Sequence, residues 1–152
     1  MELIARTCFG KNSFIIISLA CVFILVTSSY CLAEQTIQHP IDQFEEEQIE
    51  KDWSTAGMVN ATVEATNKWE VEMNKYYELL KQELRSSEKE QLIKSQEAWL
   101  KFYREEVKNI TNVFAQLTGT IYITMRAANY RELVKIRAQD LKDYYELIKV
   151  NK

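Results

Sequence analysis

The sequence predicts an all-α protein, an elongated antiparallel bundle of three long helices that a short N-terminal helix can precede. Three observations carry this. Beyond residue 33 the chain has a single proline, Pro40, and two glycines, Gly57 and Gly119. So few breakers exclude a β-rich fold with many turns. Apolar residues recur at alternating steps of three and four over three stretches, the period of a helix with one buried stripe. The stretches are joined by short polar segments, which make sequential helices antiparallel neighbours.

Residues 1–33 read as a secretory signal peptide. Arg6 and Lys11 precede the apolar run FIIISLACVFILV, and small and polar residues follow as far as Ala33. Cys31 and Ala33 stand where a signal peptidase requires small side chains, so cleavage is expected after Ala33. The run from Phe14 to Val26 is shorter than the roughly 20 residues that a membrane span needs. Membrane attachment is therefore expected only through an uncleaved signal segment. All three cysteines, Cys8, Cys21 and Cys31, fall in this region. The processed chain would have no disulfide and no thiolate chemistry, and its core alone would hold it together.

Residues 34–53 read as a loose leader in which PIDQFEEEQIEKDW can form a short helix, with Asp42 near its N-cap. The bundle domain is expected over 54–150. Its first long helix starts near Ser54 and Thr55 and runs to about Arg85, with Val59, Thr62, Thr66, Trp69, Met73, Tyr76 and Leu80 on one seam. Ser87 with Glu90 has the form of a capping box that opens the second, from about Glu88 to Leu117. Its seam is Leu92, Gln96, Trp99, Tyr103, Val107, Ile110, Phe114 and Leu117. Gly119 supplies a left-handed turn position after it. The third helix runs from about Ile121 to Lys149, with Ile123, Ala127, Tyr130, Val134, Arg137, Leu141, Tyr144 and Ile148 on its seam.

Of the 19 basic and 22 acidic residues, Arg6, Lys11 and Glu2 lie in the first 33, so the remainder carries a net charge of −4. That charge argues against a nucleic-acid partner. It suits a cationic protein partner, with an attraction that salt weakens, and it is also what solubility alone requires. The catalytic inventory is poor. The one histidine, His39, lies in the leader, where no nucleophile is evident beside it. Glutamate runs such as Glu45–Glu47 read as solvated faces; paired-carboxylate hydrolysis needs one acid in an apolar setting. No metal-ligand spacing and no phosphate-binding loop occur, so neither catalysis nor a cofactor is expected.

Two polar residues on the seams are more informative. Gln96 and Arg137 occupy core positions, and a buried arginine is costly unless paired. Glu106 and Glu132 are both candidate partners. The arrangement is either a polar clasp that sets helix register or a small polar pocket for a ligand.

STAGMVNATVEATNKWEVEMNKYYELL, LIKSQEAWLKFYREEV, TGT and ANYRELVKIRAQDL together resemble the LprI-like family, small exported bacterial domains named for a lysozyme inhibitor. The matching positions are Thr55, Gly57 and Met58; Trp69, Glu70, Glu72, Met73 and Asn74; Gln96, Ala98, Trp99, Phe102 and Glu106; Gly119; and Glu132, Leu133, Arg137 and Leu141. Where many relatives carry cysteines, this chain has Ala61 and Val107. Tyr103 stands where the family has an arginine, and Arg104 is displaced by one residue, which turns a helical side chain by about 100°. The resemblance implies a non-enzymatic, periplasmic or secreted binding protein, with a cationic lysozyme inhibited by occlusion and charge complementarity. The alternative is an envelope interaction module that works through helix contacts with another envelope protein or with itself. Neither reading names a partner-binding residue.

Overall fold

The computed structural model describes residues 38–151, which form four helices and, among the described residues, no strand. The segment read as a signal peptide lies outside the described residues. Helix α1 spans Pro40–Lys51, α2 Thr55–Glu83, α3 Ser86–Phe114 and α4 Ile121–Val150. At about 1.5 Å per residue the three long helices each extend roughly 45 Å.

The leader is thus partly structured. Its helix is capped by His39, not by Asp42, because Pro40 occupies the first helical turn and the imidazole Nδ1 accepts a hydrogen bond from the Ile41 amide at 3.2 Å. Ser54 caps α2 by accepting from the Gly57 amide at 3.0 Å. The expected capping box of α3 does not form. Helix α3 starts earlier, after Arg85, and the Glu88 carboxylate in its first turn takes both the Ser87 hydroxyl and the Arg85 guanidinium. Helix α3 also ends before Leu117, which is exposed in the following turn, where Gly119 has φ of +125°.

Helices α2 and α4 run parallel and form the centre, with α3 antiparallel to both. Trp69, Leu80, Val134 and Leu141 are fully buried between them. Each such side chain stabilises the fold by roughly 1.5–3 kcal/mol. Small residues bring the two axes together: Ala61 and Ala65 on α2 and Ala138 on α4 are buried although none lies on the expected seams. The seam of α4 is accordingly shifted. Tyr145 packs on the core, its ring centroid 5.9 Å from that of Tyr76, whereas Tyr144 and Ile123 are largely exposed. Both tyrosines fit a three-four pattern; the close approach at Ala138 decides between them.

Helix α1 lies antiparallel along the groove between α2 and α4. Ile41 and Glu45 face inward, so the glutamate run is not uniformly solvated. Glu45 accepts the Thr62 hydroxyl at 2.8 Å and pairs with Arg131 at 2.5 Å. Asp42 pairs with Lys135 at 2.8 Å. Helix α3 is held on the other side by few side chains. Only Gln96 and Ile110 of its own residues are buried.

Candidate functional site

Helix α1 covers only part of the α2–α4 groove. Where it begins, the groove opens into a cleft of about 350 Å³ lined by His39, Trp69, Glu72, Tyr76, Ala138, Gln139, Lys142 and Asp143. Helical spacing explains the set. Trp69, Glu72 and Tyr76 follow one another at three and four along α2, and Ala138, Gln139, Lys142 and Asp143 come from two turns of α4. Ala138 leaves the space that a larger residue would fill.

The His39 ring lies 4.3 Å from the Trp69 ring, and the Lys135 ammonium sits 5.6 Å from the indole. The Trp69 indole N–H is buried without a hydrogen-bond partner. Burial lowers the pKa of His39; Lys142 and Lys135 act in the same direction, against Asp42 and Glu72. The imidazole is therefore mostly neutral at neutral pH. Its Nδ1 accepts the Ile41 amide, so the neutral tautomer carries its proton on Nε2. Neither nitrogen can serve as a base without giving up the helix cap. Among the described residues no serine, threonine or cysteine lines the cleft. Glu72 is paired with Lys75 at 3.0 Å, and Lys142 lies 3.6 Å from Glu146. Aromatic walls beside two carboxylates and an ammonium suit the binding of a side chain more than a reaction. Among the described residues no group of three His, Cys, Asp or Glu side chains is placed to hold a metal ion.

The residues singled out in the sequence do not all converge. Of the motif and seam positions, Trp69, Glu72 and Tyr76 line the cleft. Gln96, Arg137 and Met73 meet between α2, α3 and α4: Arg137 donates to the Gln96 carbonyl oxygen at 3.0 Å and to the Ser95 hydroxyl at 3.3 Å, and Gln96 donates to the Met73 sulfur at 3.7 Å. The partner of Arg137 is thus an amide, not a carboxylate. Glu106 instead accepts from Asn109 at 3.3 Å, and Glu132 lies 3.5 Å from Arg131. Burial lowers the pKa of Arg137, only partly offset by Asp140 and Tyr144. Trp99 stacks on Tyr103 with centroids 5.3 Å apart and is half-buried. Phe102 and Asn74 are exposed. Sequence reasoning missed His39, Gln139, Lys142 and Asp143 at the cleft, and the Glu45–Arg131 pair. The one available signal was His39 before Pro40, since a proline in the first helical turn makes the residue before it the cap.

The family model described as lysozyme inhibitor LprI matches residues 47–141. The chain belongs to the LprI family. In this LprI protein the match starts inside α1 and ends inside α4. It takes in the cleft residues on α2, with Ala138 and Gln139, and leaves out His39, Lys142 and Asp143. The fold is similar to a crystal structure of an uncharacterised protein from Burkholderia thailandensis, with a TM-score of 0.71 and 23% sequence identity. The similarity covers 75% of this chain and 57% of that one, so the chain spans little more than half the length of its structural neighbour. A comparison with curated proteins finds no match. Among the described residues no helix is long and apolar enough to cross a membrane.

Proposed function

We infer that this LprI protein is an exported, non-enzymatic binding protein that inhibits a cationic lysozyme by occluding its substrate cleft. The observation that carries the reading is the family match over 47–141 in a chain of net negative charge. Residues 1–33 direct export and are removed after Ala33, and residues 54–150, with α1 docked on them, form the inhibitor. Trp69, Met73, Gln96, Trp99, Tyr103 and Arg137 act in this reading as scaffold. Acidic surface raises the rate of encounter with a basic enzyme, and occlusion of the cleft then stops turnover. The test is a muramidase assay with purified residues 34–152 added in molar excess over a basic lysozyme. Concentration-dependent loss of lysis supports the reading, and undiminished lysis sinks it.

A second reading, an envelope module acting through helix contacts, is favoured by one feature. Tyr144, Leu147 and Val150 form a short exposed apolar stripe at the end of α4. Light scattering on the size-fractionated protein separates the two, because a monomer that inhibits lysozyme leaves the stripe without a role.

A further inference from the structure

The geometry points to the α1–α2 turn, with Trp53 at its apex, as the element that this protein inserts into its cationic partner. The inference rests on the inhibitor reading above and names the surface for it.

Trp53 is 70% exposed, more than any other aromatic side chain among the described residues. An indole left in water adds nothing to the core. Tryptophan is also among the residues that most often dominate a protein interface. The turn that carries it is held by local hydrogen bonds. The Asp52 carboxylate accepts the Ser54 amide at 2.9 Å, and the Ser54 hydroxyl accepts the Gly57 amide at 3.0 Å. The Asp52 amide in turn donates to the Gln48 carbonyl at 3.2 Å. A Cβ on Gly57 would fall 2.2 Å from the Asp52 Cγ, so only glycine lets the turn close this tightly. A display held in this way loses little conformational freedom on binding.

The surroundings define the partner's chemistry. Glu46, Glu47 and Glu50 are exposed on the outer side of α1 within two turns of Trp53, and among the described residues none of them has an ion-pair partner. By contrast, Glu72, Glu78, Glu88 and Glu105 are each paired with a basic residue three positions away. Lys51 is the one base between Glu46 and Trp53. Ile49, Met58 and Met125 line one small pocket, which places the start of α4 at the same end of the bundle. Leu117, Ile121 and Met125 are exposed there. The end of the bundle is therefore an apolar tip flanked by free carboxylates. It fits a protein that offers an apolar groove with a basic rim.

The test measures binding of the full chain to a basic c-type lysozyme at two salt concentrations, together with inhibition of lysis. Trp53→Ala is expected to weaken binding at least tenfold with an unchanged thermal midpoint. Glu46→Gln/Glu47→Gln/Glu50→Gln is expected to slow association severalfold and flatten its salt dependence. Val71→Ala, exposed in the middle of α2, should change neither. If the parent binds and both tip variants bind within twofold of it, the tip assignment is overturned and the inhibitor reading stands. If the parent does not bind at large molar excess, both fall.

Discussion

Glu45 on α1 and Arg131 on α4 form an ion pair between helices in which the glutamate is almost fully enclosed, at 4% exposure. Its other carboxylate oxygen accepts the Thr62 hydroxyl, so one side chain ties three helices together. Burial opposes the charge on Arg131, but the hydrogen bond and charge of Glu45, with Glu132 and Asp42, outweigh it and raise the guanidinium's pKa. Breaking such a pair from one side leaves the Arg131 guanidinium with the longer Glu132 contact alone, at up to about 3–5 kcal/mol. Glu45→Ala should therefore lower stability to urea by about that much. Glu45→Leu/Arg131→Met should recover most of it, since replacing both partners removes the desolvation cost as well. A double variant no more stable than Glu45→Ala would contradict this account.

Trp69 and Trp99 should respond unequally. Trp69 is fully buried between α2 and α4 with the His39 ring tilted against it, whereas Trp99 is half-buried against Tyr103. Trp69→Ala is expected to cost about 3–5 kcal/mol, the range for a core aromatic. Trp99→Ala should cost clearly less, because part of its surface is already in water. Urea midpoints of the two variants measure the difference directly.

Much of this architecture is legible in the sequence because helix length and period are local properties. The spacing of Trp69, Met73 and Leu80 marks a buried stripe without knowledge of what lies opposite. What is not legible is rotational phase. Tyr144 and Tyr145 are one residue apart and both extend the pattern; only the close approach at Ala138 selects Tyr145. The same holds for Arg137. It was identifiable as a buried cation, but its pairing with Gln96 depends on how α3 and α4 are turned toward each other. The role of α1 was hidden for another reason. Glu45, Glu46 and Glu47 are identical in type, and the one that turns inward does so because Arg131 waits 86 residues away. The cleft shares this difficulty, since its two walls are separated by the whole of α3.

Protonation of His39 should weaken the fold. Burial holds its pKa below 6.5 in the folded protein. As pH falls through 6.5 the unfolded chain takes up a proton first, so the unfolded state gains. The contribution is intact above about pH 6.5 and is lost as pH falls from there through the folded value. His39→Asn keeps an acceptor for the Ile41 amide and removes the titration. Thermal midpoints at pH 7.5 and 5.0 should differ more for the parent than for this variant. Equal differences would show that the imidazole is not responsible.

The clasp between α3 and α4 gives a separate test. Gln96→Leu removes the acceptor for the Arg137 Nε and leaves a buried charge with the Ser95 hydroxyl alone. A lost hydrogen bond to a charged group costs about 1.5–3 kcal/mol. The pair Gln96→Leu/Arg137→Met should be close to neutral, because both polar groups leave together. Measured unfolding free energies of the two single variants and the double variant complete the cycle, and additivity of the singles would rule out the clasp.

Helix α3 should also open before the rest of the bundle. Beyond Gln96 and Ile110 it has no buried residue, while α2 and α4 share Ala65, Trp69, Leu80, Val134, Ala138 and Leu141. Leu92, Trp99 and Tyr103 pack on the core only partly buried, and among the described residues its hydrogen bonds to α4 are the Arg137 clasp and one hydroxyl contact, Thr111 to Tyr130 at 2.7 Å. Segments with few buried apolar contacts exchange their amide hydrogens through local opening, at a lower free energy than the global transition. Hydrogen exchange should find the middle of α3 less protected than the middle of α2 and α4. Tyr130→Phe should widen the gap at the C-terminal half of α3, because it removes the Thr111 contact and leaves the ring in place. Equal protection along all three helices would mean that α3 is bound to the pair as firmly as α2 and α4 are to each other, contrary to the packing.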